Sequence, residues 1–473
     1  NRRLSTLMHV DTPATIAVIG AGPIGLEAAL YARYLGYDVH VYERGRVGEH
    51  LRQFAHVRMF SPWGANISPL GVAALSAQDT NWQAPADTEL PTAGEYVDRY
   101  LIPLSQTDLL ARCVHEGVEV LAVGRESVRK SDRPGSYARA KRPFRLLLRD
   151  EDGRESVATA DVVIDATGTF GNPAWVGDGG IPAVGERRLR KQAAKQKRSE
   201  RLLEYGLPDI LGSHRKHYVG KTVMVVGAGH SAATNVLALV ELARQESAGQ
   251  VVWVTHRIPG ETGVVRRIPN DPLAERDRLA VAAAEAATNE HVQFLAGWTV
   301  DAIEEEGDRL RVRLVKAEPI ADDEPDELED DAELLDEDDV DDLEDEDFDE
   351  EEDDEDGEGE EAANARETME IVVDRLIANV GYCPDRDLYR ELQVHESFAS
   401  EGPIKFDSAL AESAGGAAPD RLLNPEPSFY VLGAKSAGRN SQFLVAQGLM
   451  QIRDLFRIVG GRAGLDVYAT MSR

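Results

Sequence analysis

Two short glycine-bearing segments carry the chemistry that this sequence declares. The first, Gly20-Ala21-Gly22-Pro23-Ile24-Gly25, closes the apolar run Thr15–Gly20 and opens an apolar stretch that reads as a helix to about Leu35. Each glycine has a mechanical task. Gly20 permits a tight turn, Gly22 lets the backbone approach a pyrophosphate, and Gly25 lets helix and strand pack closely. The helix N-terminus turns unpaired N–H groups and a positive dipole end toward the same phosphates. A second strand, Asp38–Tyr42, runs into Glu43, 18 residues after Gly25. A carboxylate there accepts hydrogen bonds from ribose hydroxyls. The bland alternative is a glycine turn with no ligand, but strand, helix, second strand and acid all stand in the expected order.

The second segment, Gly227-Ala228-Gly229-His230-Ser231-Ala232, follows the strand-like Lys221–Val226. Ala232 occupies the third glycine's place, an accepted variant. Gly227, Gly229 and Ser231 are the residues expected at the cofactor. The next strand, Val251–Thr255, ends in His256-Arg257 without a carboxylate. An acid there would repel a 2′-phosphate, whereas the forked donors of Arg257 pair with one, with His256 beside it. Arg266 and Arg267 follow nearby. This predicts NADP(H) over NAD(H), against the plainer reading of Arg257 as a solvated residue at a strand end. Two dinucleotide sites on one chain imply hydride passing between a nicotinamide and a second, tightly held redox cofactor. Flavin, as FAD, is the usual occupant of the first.

The elements that position these residues are two βαβ units. They predict an α/β protein of two Rossmann-like three-layer domains. Its 473 residues, 42% apolar, suffice for such a core. The net charge of −32 is concentrated: 31 of the 84 acids lie between Glu318 and Glu361, and without them 53 acids face 52 bases. Charge therefore says little about the folded surface. The acidic run is disordered on composition. It parts the strand-like Asp308–Lys316 from Thr368–Arg375 and reads as an oversized loop between neighbouring strands. Its expected partner is a basic protein or, within the chain, the run Arg187–Arg201, which has eight bases in 15 residues. No aromatics interleave those bases, so nucleic acid is not expected.

No apolar run reaches the roughly 18–20 residues of a membrane span. Residues 1–7 precede Met8 and have no apolar stretch, which argues against a secretory leader and suggests a fragment or a misplaced start. Cys113 and Cys383 lie 270 residues apart with no metal or CxxC spacing, so a reducing cytoplasm is the default. No metal is expected.

Three further segments carry a resemblance. Ala160–Pro173 (ADVVIDATGTFGNP) includes Ala166-Thr167-Gly168. Asp374–Asp385 (DRLIANVGYCPD) has a similar strand and turn. Ser428–Gly433 (SFYVLG) precedes a turn and a helix from about Gln442. In this order the chain resembles the flavoproteins with two dinucleotide-binding domains, the superfamily of thioredoxin-reductase-like enzymes and class B flavin monooxygenases. The ATG segment and the GxGHSA turn look most like the flavin monooxygenases. The resemblance implies an FAD domain from residues 8–173 and 368–473. It implies an NADPH domain with linker at 174–315, and the acidic loop at 316–367. It implies cofactor contacts at Gly168, Gly433 and Gln442, and a C-terminal helix N-terminus brought to the flavin ring.

The loop Phe60–Pro69 is expected near the ring. Trp63 is a candidate wall and Asn66 a candidate hydrogen-bonding partner, with an ordinary packed loop as the alternative. The implied activity is an NADPH-consuming monooxygenase that uses molecular oxygen on a small nucleophilic substrate. A flavin reductase serving a protein or quinone acceptor, and a flavoprotein scaffold recruiting a partner through the acidic loop, are the rivals. The sequence departs from the family in three ways. It has no dithiol pair. It has no Baeyer–Villiger fingerprint around Leu211–Tyr218, where His214 reads as a linker residue. It has Ala434 and Lys435 where an acid for the FAD linker is usual. Cys383 stands in the Gly381–Pro384 turn, where a catalytic role is not expected.

Overall fold

The computed structural model describes residues 9–134, 136–196, 201–260, 263–268, 271–318, 366–403 and 419–471. The acidic run, beyond Glu318, lies outside them. So does part of the basic run, residues 197–200.

Two parallel five-stranded sheets carry the two glycine turns. In the first, the strand order is Phe429–Val431, Val162–Asp165, Thr15–Ile19, Asp38–Glu43 and Val114–Glu116. In the second it is Val292–Ala296, Gln250–Thr255, Thr222–Val226, Arg375–Ala378 and Leu203–Glu204. After an opening threonine, the central strands Thr15–Ile19 and Thr222–Val226 are apolar at every position because both faces are covered. Ile16 and Val18 pack toward the helices Pro23–Tyr34 and Val445–Val459. Ala17 and Ile19 face the other way, onto Phe144 and Leu146 of a three-stranded meander, Glu119–Arg125, Phe144–Arg149 and Glu155–Ala160. The second domain repeats the plan. Val223 and Val225 pack on the helix His230–Glu246, and Met224 and Val226 on a second meander. The three layers expected of each domain are present.

That second meander consists of Trp298–Glu306, Arg309–Lys316 and Thr368–Val373. Its last two strands pair directly, Val315 opposite Thr368. The acidic run therefore leaves and rejoins the fold between adjacent antiparallel strands. The expected domain boundary at 368 needs correction. Thr368–Val373 completes the second meander, and Arg375–Ala378 lies between Thr222–Val226 and Leu203–Glu204 in the second sheet. The second domain thus extends to residue 378. Sequence order obscured this because the strand that fills the sheet comes after the acidic insertion.

Two connectors join the domains side by side. Pro173 bridges Tyr382, the Cys383 N–H donates to the Asn172 carbonyl, and the Ala174 N–H donates to that of Gly381. The basic run begins as the helix Glu186–Ala193. Its Leu189 is buried, and Arg190 stacks on Trp175 and Tyr205. Arg187, Lys191 and Lys195 are exposed. The Thr92-Ala93-Gly94-Glu95 spacing predicts a capping box that opens a helix to about Arg112; the capping box is present, but the helix ends at Ser105. It widens to π geometry over Val97–Leu101, immediately before Pro103, which has no N–H to donate.

Candidate functional site

At the first turn the three glycines have the surroundings their tasks require. Gly20 has φ +100°, and a Cβ there would lie 2.8 Å from the Ala166 carbonyl oxygen. A Cβ at Gly25 would collide with the Gly20 carbonyl, whereas one at Gly22 would meet nothing within 4 Å. That open space fronts the helix Pro23–Tyr34, whose first turn has neither a side-chain cap nor an acid. Its N–H groups are available to an anion. Glu43 is buried beside them and accepts from the Ala21 N–H (2.8 Å) and the Gly45 N–H (2.9 Å). Each oxygen keeps a lone pair for a ribose hydroxyl. Burial raises its carboxyl above the ordinary value, and the two backbone donors oppose that rise.

Around this turn the structure gathers segments distant in sequence. Gly168, with φ +67° and open space at its Cβ, follows the Ala166 carbonyl that rests against Gly20. Gly433 has φ +74°, and its Cβ position lies 3.3 Å from Ile24. Its N–H donates to Gln451 Oε1 (2.9 Å). Gln442 is exposed, and its N–H donates to Asn440 Oδ1. The helix Val445–Val459 begins shortly after, with no acid in its first turn. Lys435 was not singled out as a site residue. It is fully buried and ion-paired to Asp165 at 2.6 Å. Only the missing acid after Gly433 hinted at it.

The second turn repeats the geometry. Gly227 has φ +134°, its Cβ position collides with the Asn379 carbonyl, and its own carbonyl accepts from Trp253 Nε1 at 2.8 Å. Gly229 is exposed and open, and the helix His230–Glu246 behind it has no side-chain cap and no acid in its first turn. Ser231 sits half-buried in that first turn. Buried Asn235 donates to the Gly206 carbonyl and to Asn379 Oδ1, and Asn379 donates to Gly206 as well. This network clamps two returning segments beside the turn. Its residues are nearly 150 positions apart, so no local spacing signals it.

His256 and Arg257 stand exposed at the end of Gln250–Thr255, where Thr255 Oγ1 donates to the Arg257 carbonyl. Partial desolvation by the surrounding chain, and then the Arg257 charge, lower the His256 imidazole below its ordinary value. Arg266 is also exposed, while Arg267 is engaged by Asp277 through two bonds, 2.7 and 2.8 Å.

The loop expected at the flavin ring is a packed element. Trp63–Asn66 forms a helical turn, and Pro69–Gln78 a helix capped by Ser68. Trp63 is 0% exposed, edge-on to Tyr96 in the first core. Asn66 is 0% exposed as well: its amide donates to the carbonyls of Ser61 and Pro62, and its Oδ1 accepts from Ser61 Oγ. Both candidates are thus committed to the core, and neither presents a face to a ring. Phe60 reaches across instead, 5.6 Å and edge-on to His230 at the second helix N-terminus. His214 accepts from the Asp209 N–H within its own turn. Cys113 and Cys383 are both free thiols, and burial raises each.

No group of side chains suited to a metal ion occurs among the described residues, and no described helix is long and apolar enough to cross a membrane. A family model, pyridine nucleotide-disulphide oxidoreductase, matches residues 15–50, the first βαβ unit. No curated protein sequence matches the chain. Solved structures do match over nearly its whole length. The bacillithiol disulfide reductase Bdr of Bacillus cereus superposes with TM-score 0.59 at 16% identity, covering 95% of this chain and 99% of that one. The FAD-bound cadaverine monooxygenase DfoA of Erwinia amylovora gives 0.57 at 12%, covering 96% and 95%. The ornithine N-hydroxylase of Kutzneria sp. 744 gives 0.54 at 13%, covering 95% and 100%. The chain thus shares its fold with these two-domain structures, and its first βαβ unit matches the pyridine nucleotide-disulphide oxidoreductase model.

Proposed function

We propose that this chain is an FAD-dependent, NADPH-consuming oxidoreductase that acts, in the manner of a flavin monooxygenase, on a small nucleophilic substrate with molecular oxygen. The observation that carries the reading is the pair of uncapped, acid-free helix N-termini, each fronted by a glycine with open space, on two parallel sheets of one chain. When bound, FAD supplies the two-electron chemistry that links nicotinamide oxidation to oxygen. The chain's own part is to hold and orient. Gly22 and the N–H groups behind it take the flavin pyrophosphate, and Glu43 takes the ribose. Gly168, Gly433 and Gln442 border the remainder. Gly227, Gly229 and Ser231 take the nicotinamide nucleotide's phosphates, with Arg257 and His256 at its 2′-phosphate. Arg257→Ala is expected to raise KM for NADPH roughly tenfold or more and to leave NADH use nearly unchanged. Equal losses for both nucleotides would remove the argument for NADPH.

Two of the similar structures are monooxygenases of amines, a cadaverine monooxygenase and an ornithine N-hydroxylase. This supports an amine-like nucleophile as substrate. The third is a disulfide reductase, which keeps alive a reductase that passes electrons onward. Such an enzyme here would work without a dithiol of its own, because Cys113 is buried, Cys383 is half-buried, and both are free thiols. The test mixes the purified chain with NADPH in air and accounts for oxygen, peroxide and product. Oxygen uptake stimulated by small amines supports the monooxygenase. Flavin that stays reduced until an artificial acceptor arrives supports the reductase. For the acidic run the proposed partner is a basic surface, either another protein's or Arg187, Lys191 and Lys195 of this chain.

A further inference from the structure

We infer that Lys435 is a positioning residue of the first dinucleotide pocket, acting through Asp165; this rests on the FAD reading of that pocket. Its side chain and that of Asp165 are both 0% exposed, with Nζ 2.6 Å from Asp165 Oδ2 and 3.2 Å from Thr167 Oγ1. The Tyr389 ring covers the ammonium, its centroid 4.9 Å away. The other oxygen, Asp165 Oδ1, accepts from the Thr167 N–H (3.1 Å) and Thr167 Oγ1 (2.7 Å). One carboxylate thus fixes the path of Ala166-Thr167-Gly168, and one ammonium fixes the carboxylate.

Three segments that border the pocket meet here. The Ala166 carbonyl rests on Gly20. The turn Gly433–Ala437, which carries Lys435, rests on Ile24 at the start of the first helix and is braced by Gln451, which accepts from the Gly433 N–H and donates to Ser436 Oγ. Asp165 and Lys435 join the two across 270 residues. A buried ion pair stabilises a fold little more than well-packed apolar side chains do, and its best-attested use is to fix one arrangement among several. Here the arrangement fixed is that of the turns around the place left for the pyrophosphate and its linker. In this chain Lys435 turns inward and acts on the turn.

The experiment compares full-length wild type, Lys435→Met and the double variant Lys435→Met, Asp165→Leu. FAD per chain, the FAD dissociation constant by fluorescence titration, and the thermal midpoint are measured for each. Lys435→Met is expected to weaken FAD binding by at least about tenfold and to lower the midpoint, because Asp165 is left buried without its cation. The double variant is expected to regain the midpoint but not the affinity. Wild-type affinity in Lys435→Met, or recovery of both quantities in the double variant, would overturn the inference. Should Lys435→Met not fold, Thr167→Val leaves the ion pair itself in place and removes the hydroxyl that accepts from Lys435 and donates to Asp165 Oδ1. It is expected to weaken FAD severalfold at an unchanged midpoint, and an unchanged affinity would overturn the inference equally. A wild-type chain that takes up no FAD refutes the reading of the pocket itself.

Discussion

Gly22 and Glu27 lie five residues apart on one turn and helix, and they lead to opposite experiments. At Gly22 an added Cβ meets nothing within 4 Å in the chain itself. Gly22→Val is therefore expected to fold with an unchanged thermal midpoint and to lose FAD, because the branched side chain fills the space kept for a pyrophosphate; retained flavin would remove Gly22 from the site. Glu27 is a fully buried carboxyl with no ion-pair partner among the described residues. Its Oε1 accepts from Tyr100 Oη and its Oε2 from Ser68 Oγ (2.8 Å). Burial pushes it from 4.5 up to about 7, against the two hydrogen bonds. Between about pH 4.5 and 7 the folded chain holds a proton that the unfolded chain has released. Stability therefore falls as pH rises through this window, and the deficit is complete above it. Glu27→Gln removes the titration. Relative to wild type it is expected to gain on the order of 3 kcal/mol at pH 8 and almost nothing at pH 4.5. Denaturant midpoints at the two pH values check this, and an equal gain at both would contradict it.

At the scale of elements, the edge strand Phe429–Val431 is held from below. Glu426 is 0% exposed and takes two guanidiniums, Arg125 at 2.7 Å and Arg139 at 2.8 Å. Arg125 also donates to the Pro427 carbonyl and lies on the Phe144 ring. The cluster ties the first meander, through the end of its first strand and the connection to its second, to the C-terminal strand. Glu426→Ala strands two buried cations and is expected to cost about 3–5 kcal/mol of unfolding free energy. A loss under about 1 kcal/mol would place it with ordinary exposed pairs. Much at this scale was legible beforehand. The two βαβ units, the Thr92 capping box and the strand pairing across the acidic run all follow from local pattern. The loop Phe60–Pro69 was not, because Pro, Gly and aromatic residues suggest an irregular turn, whereas Ser68 caps a helix and Glu27 anchors that cap.

At the scale of the molecule, the −32 charge is an attribute of one excursion. Its two ends are neighbours in a ladder, with the Lys316 N–H donating to the Glu367 carbonyl and Val315 opposite Thr368. Deleting 318–361 leaves Ala317 and residues 362–366 to join Lys316 to Glu367. Shortening the loop so far favours closure by about 2 kcal/mol. FAD content is expected to be unchanged and the thermal midpoint not lowered. Loss of flavin would show that the excursion supports the fold, and loss of salt-sensitive binding to a lysine-rich peptide, with turnover intact, would favour recruitment.

What the sequence determined by itself is what lies within one βαβ unit. The glycine spacing, the acid at Glu43 and its absence at Arg257 are set over some thirty residues, where backbone sterics and helix geometry leave few alternatives. Trp63 and Asn66 have the right chemistry for a site and are in the core, because burial depends on what packs over them and not on their neighbours in the chain. Only the tertiary structure decided which distant segments complete each pocket. Arg375–Ala378 enters the second sheet after the acidic run, Asn379 meets Asn235, and Lys435 meets Asp165. Those contacts carry no local period, since a parallel sheet pairs strands far apart in sequence and brings together at its carboxyl edge residues that nothing else relates.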